Sequence, residues 1–320
     1  MKRFLLFALV LPLFVLPARA SYIRWVDFSV PYESMQYALE QDIVTFEQEK
    51  HVDWIQALAL AASRTGGKCP LESVKKAVTD LKQDKSPEEI VGDNPKFYNY
   101  YHEAYSAVLG GMVGSFAIEK DGKWIPTYGL KAFSPIAAGY SYSHCDDFGA
   151  SRSFGFKRKH LGNDLMGSLG TPIVAVEGGV VEAMGWNRYG GWRIGIRSFD
   201  SKRYWYYAHL QKDTPFAPGL SVGDIVQPGQ LLGFMGRTGY SDTENVNNIE
   251  TVHLHLGLQL IFDESQKECD NEIWVDVYDI VKLLSTHRAS YEKTSDGWNR
   301  LYPFRDLDEK KFDLGNKMSS

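Results

Sequence analysis

The stretch TVHLHLGLQL, residues 251–260, alternates without a break. Val252, Leu254, Leu256, Leu258 and Leu260 fall on one side, and His253, His255, Gly257 and Gln259 on the other. That is the period of a β-strand with one apolar face turned to a core. Two imidazoles at i and i+2 stand roughly 7 Å apart on the same face. The spacing suits one histidine holding a metal while the other addresses water on that metal. It also describes two histidines on the wet face of an edge strand, so the surrounding sequence has to decide.

Outward from this strand the composition is that of a β-domain. TPIVAVEGGVVEAMGW (171–186), GWRIGIRSF (191–199), KRYWYYAHL (202–210) and LSVGDIVQPGQLLGFMGRTG (220–239) are short apolar runs separated by Gly and Pro turns, the pattern of an antiparallel sheet. EIWVDVYDIVKLLSTHR (272–288) closes the region with a helix, and residues 291–320 are polar and read as a surface-wrapping tail.

Residues 21–125 read as mostly helical. HVDWIQALALAASRTGG (51–67) stops at Gly66-Gly67, PLESVKKAVTDLKQD (70–84) opens on Pro70, and Ser86 is an N-cap before Pro87 and two glutamates. KFYNYYHEAYSAVLGGMVGSF (96–116) continues the amphipathic pattern. His51 and His102 in this part read as surface or packing residues.

The chain of 320 residues is 44% hydrophobic and 23% charged, with a net charge of −5. The length allows about two domains with their own cores, and the charge argues against nucleic acid as a partner. Lys2 and Arg3 precede an apolar run from Phe4 to Leu16, and Ala18-Arg19-Ala20 offers a small-x-small cleavage site. Residues 1–20 thus read as a secretory signal, too short for a membrane span, with the mature chain starting at Ser21. No later stretch reads as transmembrane. Cys69, Cys145 and Cys269 match no zinc-cysteine spacing and leave open one disulfide or none.

Two further motifs in the β-domain carry metal chemistry. KHLGND (159–164) sets His160 and Asp164 four apart. They would lie about 13 Å apart in a straight strand and share an ion only if the chain bends at Gly162-Asn163. YYAHL (206–210) places His209 at the end of an aromatic strand. Two neutral imidazoles and one carboxylate make a zinc shell with a fourth position for water. His160, Asp164 and one of His253 or His255 supply three ligands. His209 and the other histidine are then left for acid–base work.

The order His-x-Gly-x-Asp, YAHL and His-Leu-His resembles the lysostaphin/LytM-type family of zinc peptidoglycan endopeptidases. GTPIVAVEGGVV (170–181) and VGDIVQPGQLLGFMGRTGYS (222–241) resemble that family's opening strands and the hairpin before its His-x-His strand. The resemblance covers Asp146 to Ile261. It implies one Zn²⁺ per chain, held by His160, Asp164 and His255, with His209 and His253 as the catalytic, non-ligand pair. It also implies peptidoglycan peptides as substrate and a secreted or cell-envelope location. The chain departs from the pattern in the long loop YSDTENVNNIET (240–251) and in Val252, which stands where relatives often have proline.

The expected fold class is α+β. Signal residues 1–20 precede a helical N-terminal domain (21–125), an all-antiparallel β catalytic domain of the LytM-like, duplicated hybrid motif type that closes with a C-terminal helix (126–290), and a C-terminal extension (291–320). Competing readings are a non-catalytic wall-binding or amidase-activating module on the same fold, and a sugar-phosphotransfer or biotinyl-type β-fold. Three local readings accompany these. GWNRYGGW (185–192) offers Trp186, Tyr189 and Trp192 as a cleft rim. SHCDD (143–147) reads as a domain-entry loop. Tyr207 shares a face with His209 if its strand is regular.

Overall fold

In the computed structural model the described residues are 22–83, 85–92, 95–155, 157–267, 271–295 and 297–307. The expected signal segment, its expected cleavage site and Cys269 lie outside them. The helices are α1 (Tyr32–Thr45), α2 (Trp54–Thr65), α3 (Leu71–Leu81), α4 (Pro87–Val91), α5 (Lys96–Leu109) and α6 (Tyr278–Leu284). The strands are β1 (Val113–Lys120), β2 (Lys123–Leu130), β3 (Ser143–His144), β4 (Ser151–Arg152), β5 (Arg158–Lys159), β6 (Asn163–Met166), β7 (Pro172–Val174), β8 (Gly179–Asn187) and β9 (Gly191–Ser198). They continue with β10 (Arg203–Ala208), β11 (Ile225–Val226), β12 (Leu231–Phe234), β13 (His253–Leu260), β14 (Ile273–Val275), β15 (Tyr291–Thr294), β16 (Gly297–Arg300) and β17 (Phe304–Asp306). Every pairing between these strands is antiparallel.

Local signals set the helix ends. The Asp53 carboxylate accepts from the Gln56 N–H at 2.8 Å and starts α2, and Gly66 stops it at φ +62°, where a side chain would be strained. Ser86 and Glu89 cap α4 reciprocally. α2 is buried nearly all round, from Trp54 to Ala62, and packs on α1, α3 and α5.

α5 ends at Leu109, earlier than the apolar spacing of residues 96–116 suggests. Gly110-Gly111 breaks the helix, and the chain turns into the β1–β2 hairpin. A position 125/126 boundary thus falls inside β2. Arg203 holds this junction: its guanidinium donates to the last α5 carbonyls, Ala107 O at 2.9 Å and Ser106 O at 3.3 Å, and to Glu177 at 2.8 Å. A C-terminal helix end carries partial negative charge, which a buried guanidinium neutralises.

The main sheet runs β11-β8-β9-β10-β13-β6-β3, with β14 also on β13. The His-x-His strand β13 is therefore central. Leu254, Leu256, Leu258 and Leu260 are fully buried and share one core with Ile194, Ile196, Trp205, Tyr207 and the α6 residues Ile280, Val281 and Leu284. The opposite face is not a wet surface: His253 and Gln259 are also buried.

The C-terminal segment differs from a surface-wrapping tail. Its described residues form the β15–β16 hairpin and then β17, which adds a third strand to β1–β2 through Phe116↔Asp306, Ala117↔Arg305 and Ile118↔Phe304. Asp306 there accepts two hydrogen bonds from Lys131, at 2.9 and 3.0 Å, with both side chains buried. Cys69 and Cys145 are free thiols. Among the described residues no helix is long and apolar enough to cross a membrane.

Candidate active site

Three adjacent strands bring the motif residues together. Register pairs His255 with Asp164 on β6 and with Ala208 on β10, so the three stand in one row across the sheet. His209 follows Ala208 directly. His253 lies two residues before His255, on the same face. His160 arrives from the β4–β5 hairpin, held by its N–H to Ala150 O at 2.8 Å and by the Gly149 N–H to its own carbonyl at 2.7 Å.

The bend between His160 and Asp164 works through close approach. Gly162 lies against β13, where an added Cβ would stand 2.5 Å from Leu256 O and 2.7 Å from His255 Cε1. Only glycine lets the chain pass so near the His255 ring.

His160 Nε2 lies 2.7 Å from His255 Nδ1 and 3.0 Å from Asp164 Oδ1, and His255 Nδ1 lies 3.3 Å from the same oxygen. Donor atoms of the three residues all lie within 4.8 Å of one another. The other ring nitrogens are tied back: the Nδ1–H of His160 donates to Asp147 O at 3.0 Å, that of His209 to Thr238 O at 2.9 Å, and that of His253 to Thr251 O at 2.9 Å. Each neutral ring then keeps its lone pair on Nε2. His253 Nε2 stands 3.7 Å from Asp164 Oδ1.

The electrostatics favour a cation. Burial alone would raise the Asp164 carboxyl, but hydrogen bonds with His160 and His255 hold it well below the usual carboxylate range. Burial, together with the neighbouring His253 and His255 rings, pushes His209 well below the ordinary histidine value. Burial also lowers His255, against the opposing pull of Asp164. Two imidazoles and a carboxylate converging at one point are a donor set that fits Zn²⁺.

His209 adopts φ +62° just past the end of β10, a conformation uncommon for a side-chain-bearing residue and typical of functional sites. Its N–H donates to Gly190 O at 2.8 Å, and its carbonyl accepts from Gly236 N–H at 3.0 Å. This kink breaks the parity between Tyr207 and His209. Tyr207 faces the core, where its hydroxyl accepts from the Val176 N–H at 2.9 Å. Tyr206 faces the site instead, its ring 5.9 Å from that of His255.

Several supporting residues carry no sequence signal of their own. Arg152 donates to Asp147 at 2.6 Å and to Asp164 Oδ2 at 3.1 Å, and Asp147 Oδ1 accepts the Asp164 N–H at 3.2 Å. Asp147 thus braces both His160 and Asp164 from within the SHCDD segment. His144 and Cys145 of that segment stay out of the cluster. On the rim, Tyr189 lines the cleft, whereas Trp192 turns away to donate to Asn245 at 2.9 Å and Trp186 packs edge-on against Trp192. Tyr240, from the long loop, also lines the cleft and stacks on Phe154. His51 pairs with Asp42, and His102 stacks on Tyr98, far along the chain from this cluster.

Fold and site together resemble the β-domain of LytM-type peptidases. Residues 158–268 match the model of peptidase family M23, and the chain carries a domain of that family. It is homologous to the L-Ala–D-Glu endopeptidase of Bacillus subtilis, 43% identical over 124 residues, which are 39% of this chain and 36% of that protein. It is also homologous to lysostaphin of Staphylococcus simulans, 36% identical over 89 residues, 28% of this chain and 17% of that protein. The chain thus spans about a third or less of these relatives' length. A crystal structure from Ruminococcus gnavus, provisionally described as a glycyl-glycine endopeptidase lytM, aligns over 84% of this chain and 92% of its own. The TM-score is 0.55 and the identity 26%. That alignment is consistent with the mixed helical and antiparallel fold described above.

Proposed function

We propose that this protein is a secreted zinc metalloendopeptidase that hydrolyses peptide bonds in bacterial peptidoglycan. The observation that carries the reading is the convergence of His160, Asp164 and His255 beside two more imidazoles with free Nε2 atoms. His160, Asp164 and His255 would hold the ion. A bound Zn²⁺ supplies a water with its pKa lowered to ~7 and polarises a peptide carbonyl.

The two remaining histidines divide the proton work. His253 Nε2 accepts the proton of the attacking water, since Nδ1 already donates to Thr251 O. Asp164, 3.7 Å away, stabilises the imidazolium that results. The proton then passes from Nε2 to the leaving amine. His209 stays neutral because burial opposes its charging, so its Nε2 accepts a hydrogen bond from the attacking water and orients it. A non-catalytic module would need neither group, and the donor set here is complete.

The substrate is a stem or cross-link peptide. The 43% identical relative acts on L-Ala–D-Glu, which brings that stem bond into the test. Metal analysis is expected to find one zinc per chain. His255→Ala is expected to lose zinc and activity together, whereas His253→Ala and His209→Ala keep zinc and lose turnover by roughly a hundredfold or more. Digested sacculi are expected to show new free amines on intact disaccharide peptides. Released reducing sugar ends would overturn the reaction class. N-terminal sequencing that found intact Met1 on an abundant cytoplasmic pool would overturn secretion.

A further inference from the structure

The sheet face that carries the donor cluster also floors a second cleft. It encloses about 510 Å³ and shares Leu161, Tyr189, Tyr206 and His255 with the wall of the candidate active site. A peptide lying across the cluster therefore has room to run into it.

Arg193 of β9 lines this cleft. Its place in the sheet is set by register. Tyr206 pairs with Gly195 and Tyr207 with Ile194, so one more step sets Arg193 opposite Ala208. Ala208 pairs on its other side with His255. Arg193 and His255 are thus two strand spacings apart, about 10 Å between backbones. On this face Ala208 stands between them, with the Tyr206 side chain alongside, its hydroxyl accepting from Asn187 at 3.1 Å.

The charges around Arg193 are already engaged elsewhere. Lys267 pairs with Glu182, Glu182 also pairs with Arg197, and Glu272 accepts from Trp274 Nε1 at 2.7 Å. Arg193 Nε is buried and meets no hydrogen-bond partner. Among the described residues no carboxylate pairs with its guanidinium. The Arg193 side chain as a whole is half-buried at the cleft wall, and the planar fork of a guanidinium matches a carboxylate in two parallel hydrogen bonds.

We propose that Arg193 is a specificity residue that binds a free carboxylate of the substrate peptide, within one or two residues of the bond that is cleaved. The distance follows from the 10 Å strand separation and the ~3.3 Å rise of an extended residue, less the reach of the arginine side chain. The carboxylate comes either from an acidic residue within the peptide or from its C-terminus. This inference rests on the peptidase reading above.

The test compares wild type, Arg193→Met and Arg193→Lys on matched peptides of cell-wall stem sequence. One pair carries an internal carboxylate or its carboxamide next to the scissile bond. A second pair carries a free or an amidated C-terminus. Wild type is expected to prefer one carboxylate over its amide by roughly 10- to 100-fold in kcat/KM, the scale of a charge-assisted hydrogen bond. The pair that shows the preference identifies the source. Arg193→Met is expected to abolish the preference through KM and to leave the amide peptide nearly unchanged, and Arg193→Lys to retain part of it. Equal losses on both members of a pair, or a preference that survives in Arg193→Met, would overturn the inference. If wild type cleaves none of the peptides, the peptidase reading fails separately. Anisotropy binding of the same labelled peptides then decides on Arg193: carboxylate-selective binding lost in Arg193→Met supports the subsite, and binding without selectivity refutes it.

Discussion

Replacing Gly162 by alanine probes the site through a single methyl group. The added Cβ would stand 2.5 Å from Leu256 O, 2.7 Å from His255 Cε1 and 2.8 Å from His255 Nε2. Carbon atoms rest at about 3.5–4.0 Å, so something must yield by roughly 0.7–1 Å. Leu256 belongs to the β13–β6 ladder, opposite Asn163, and is the stiffest of the three. The displacement therefore falls on the His255 ring and on the 160–164 bend, which carry all three candidate ligands. A metal site tolerates about 0.2 Å. Gly162→Ala is expected to weaken zinc binding at least 10- to 100-fold, the scale seen when supporting contacts of ligands are lost. Overpacking is expected to destabilise the apo fold by about 1–3 kcal/mol. Competition against a chelator of known affinity measures the first, and thermal unfolding of metal-free protein the second. Leu161→Ala, at the neighbouring exposed position, serves as the control and keeps its zinc. A Gly162→Ala protein with wild-type zinc affinity and an unchanged melting temperature would refute the reasoning.

Asp147→Asn removes the carboxylate that binds Arg152 and the Asp164 N–H, and a fall of roughly 10- to 100-fold in metal affinity or activity is expected, read by the same chelator competition. Burial lowers His144 to about 4, against a weaker opposing pull from Asp146. Between pH 6.5 and about 4 the unfolded chain takes up a proton there that the folded chain refuses, so stability present above pH 6.5 is lost as pH falls through that window. With solvent screening of this partly exposed ring the loss is roughly 2 kcal/mol. Unfolding of His144→Asn across pH 4–7 is expected to show a shallower decline than wild type. Lys131→Met leaves Asp306 buried without its ammonium partner and is expected to cost about 3–5 kcal/mol in denaturant unfolding, much of it recovered in the double variant with Asp306→Leu.

The parts of the molecule that were legible in the sequence are those set by short-range periodicity. Alternation in residues 251–260 placed the leucines in the core and both histidines on one face, and β13 has that arrangement. The stop at Gly66 and the cap at Ser86 are local chemistry and read directly; the Asp53 cap of α2 emerges only with the structure. Tyr207 would share a face with His209 only in a regular strand; the +62° backbone at His209 ends that regularity, and Tyr207 packs in the core. Asp147 and Arg152 were missed because their roles depend on a hairpin folding back over β6. No spacing rule sees that contact. The strand at Phe304–Asp306 was hidden for the same reason, since its partner β1 lies far back in the chain.

That last pairing has a consequence for how the chain matures. β1 is the middle strand of its small sheet, yet its second neighbour is made last. Because the chain emerges N-terminus first, from ribosome and export channel alike, the β1–β2 hairpin waits for β17. During that interval β1 presents an open edge, a template for pairing with any other extended chain. Closure across so long a loop is slow compared with helix packing in the first hundred residues. A nascent chain stalled before Phe304 therefore holds a formed helical region and an unprotected strand at once, and docking of Asp306 onto Lys131 is the event that removes the exposed edge.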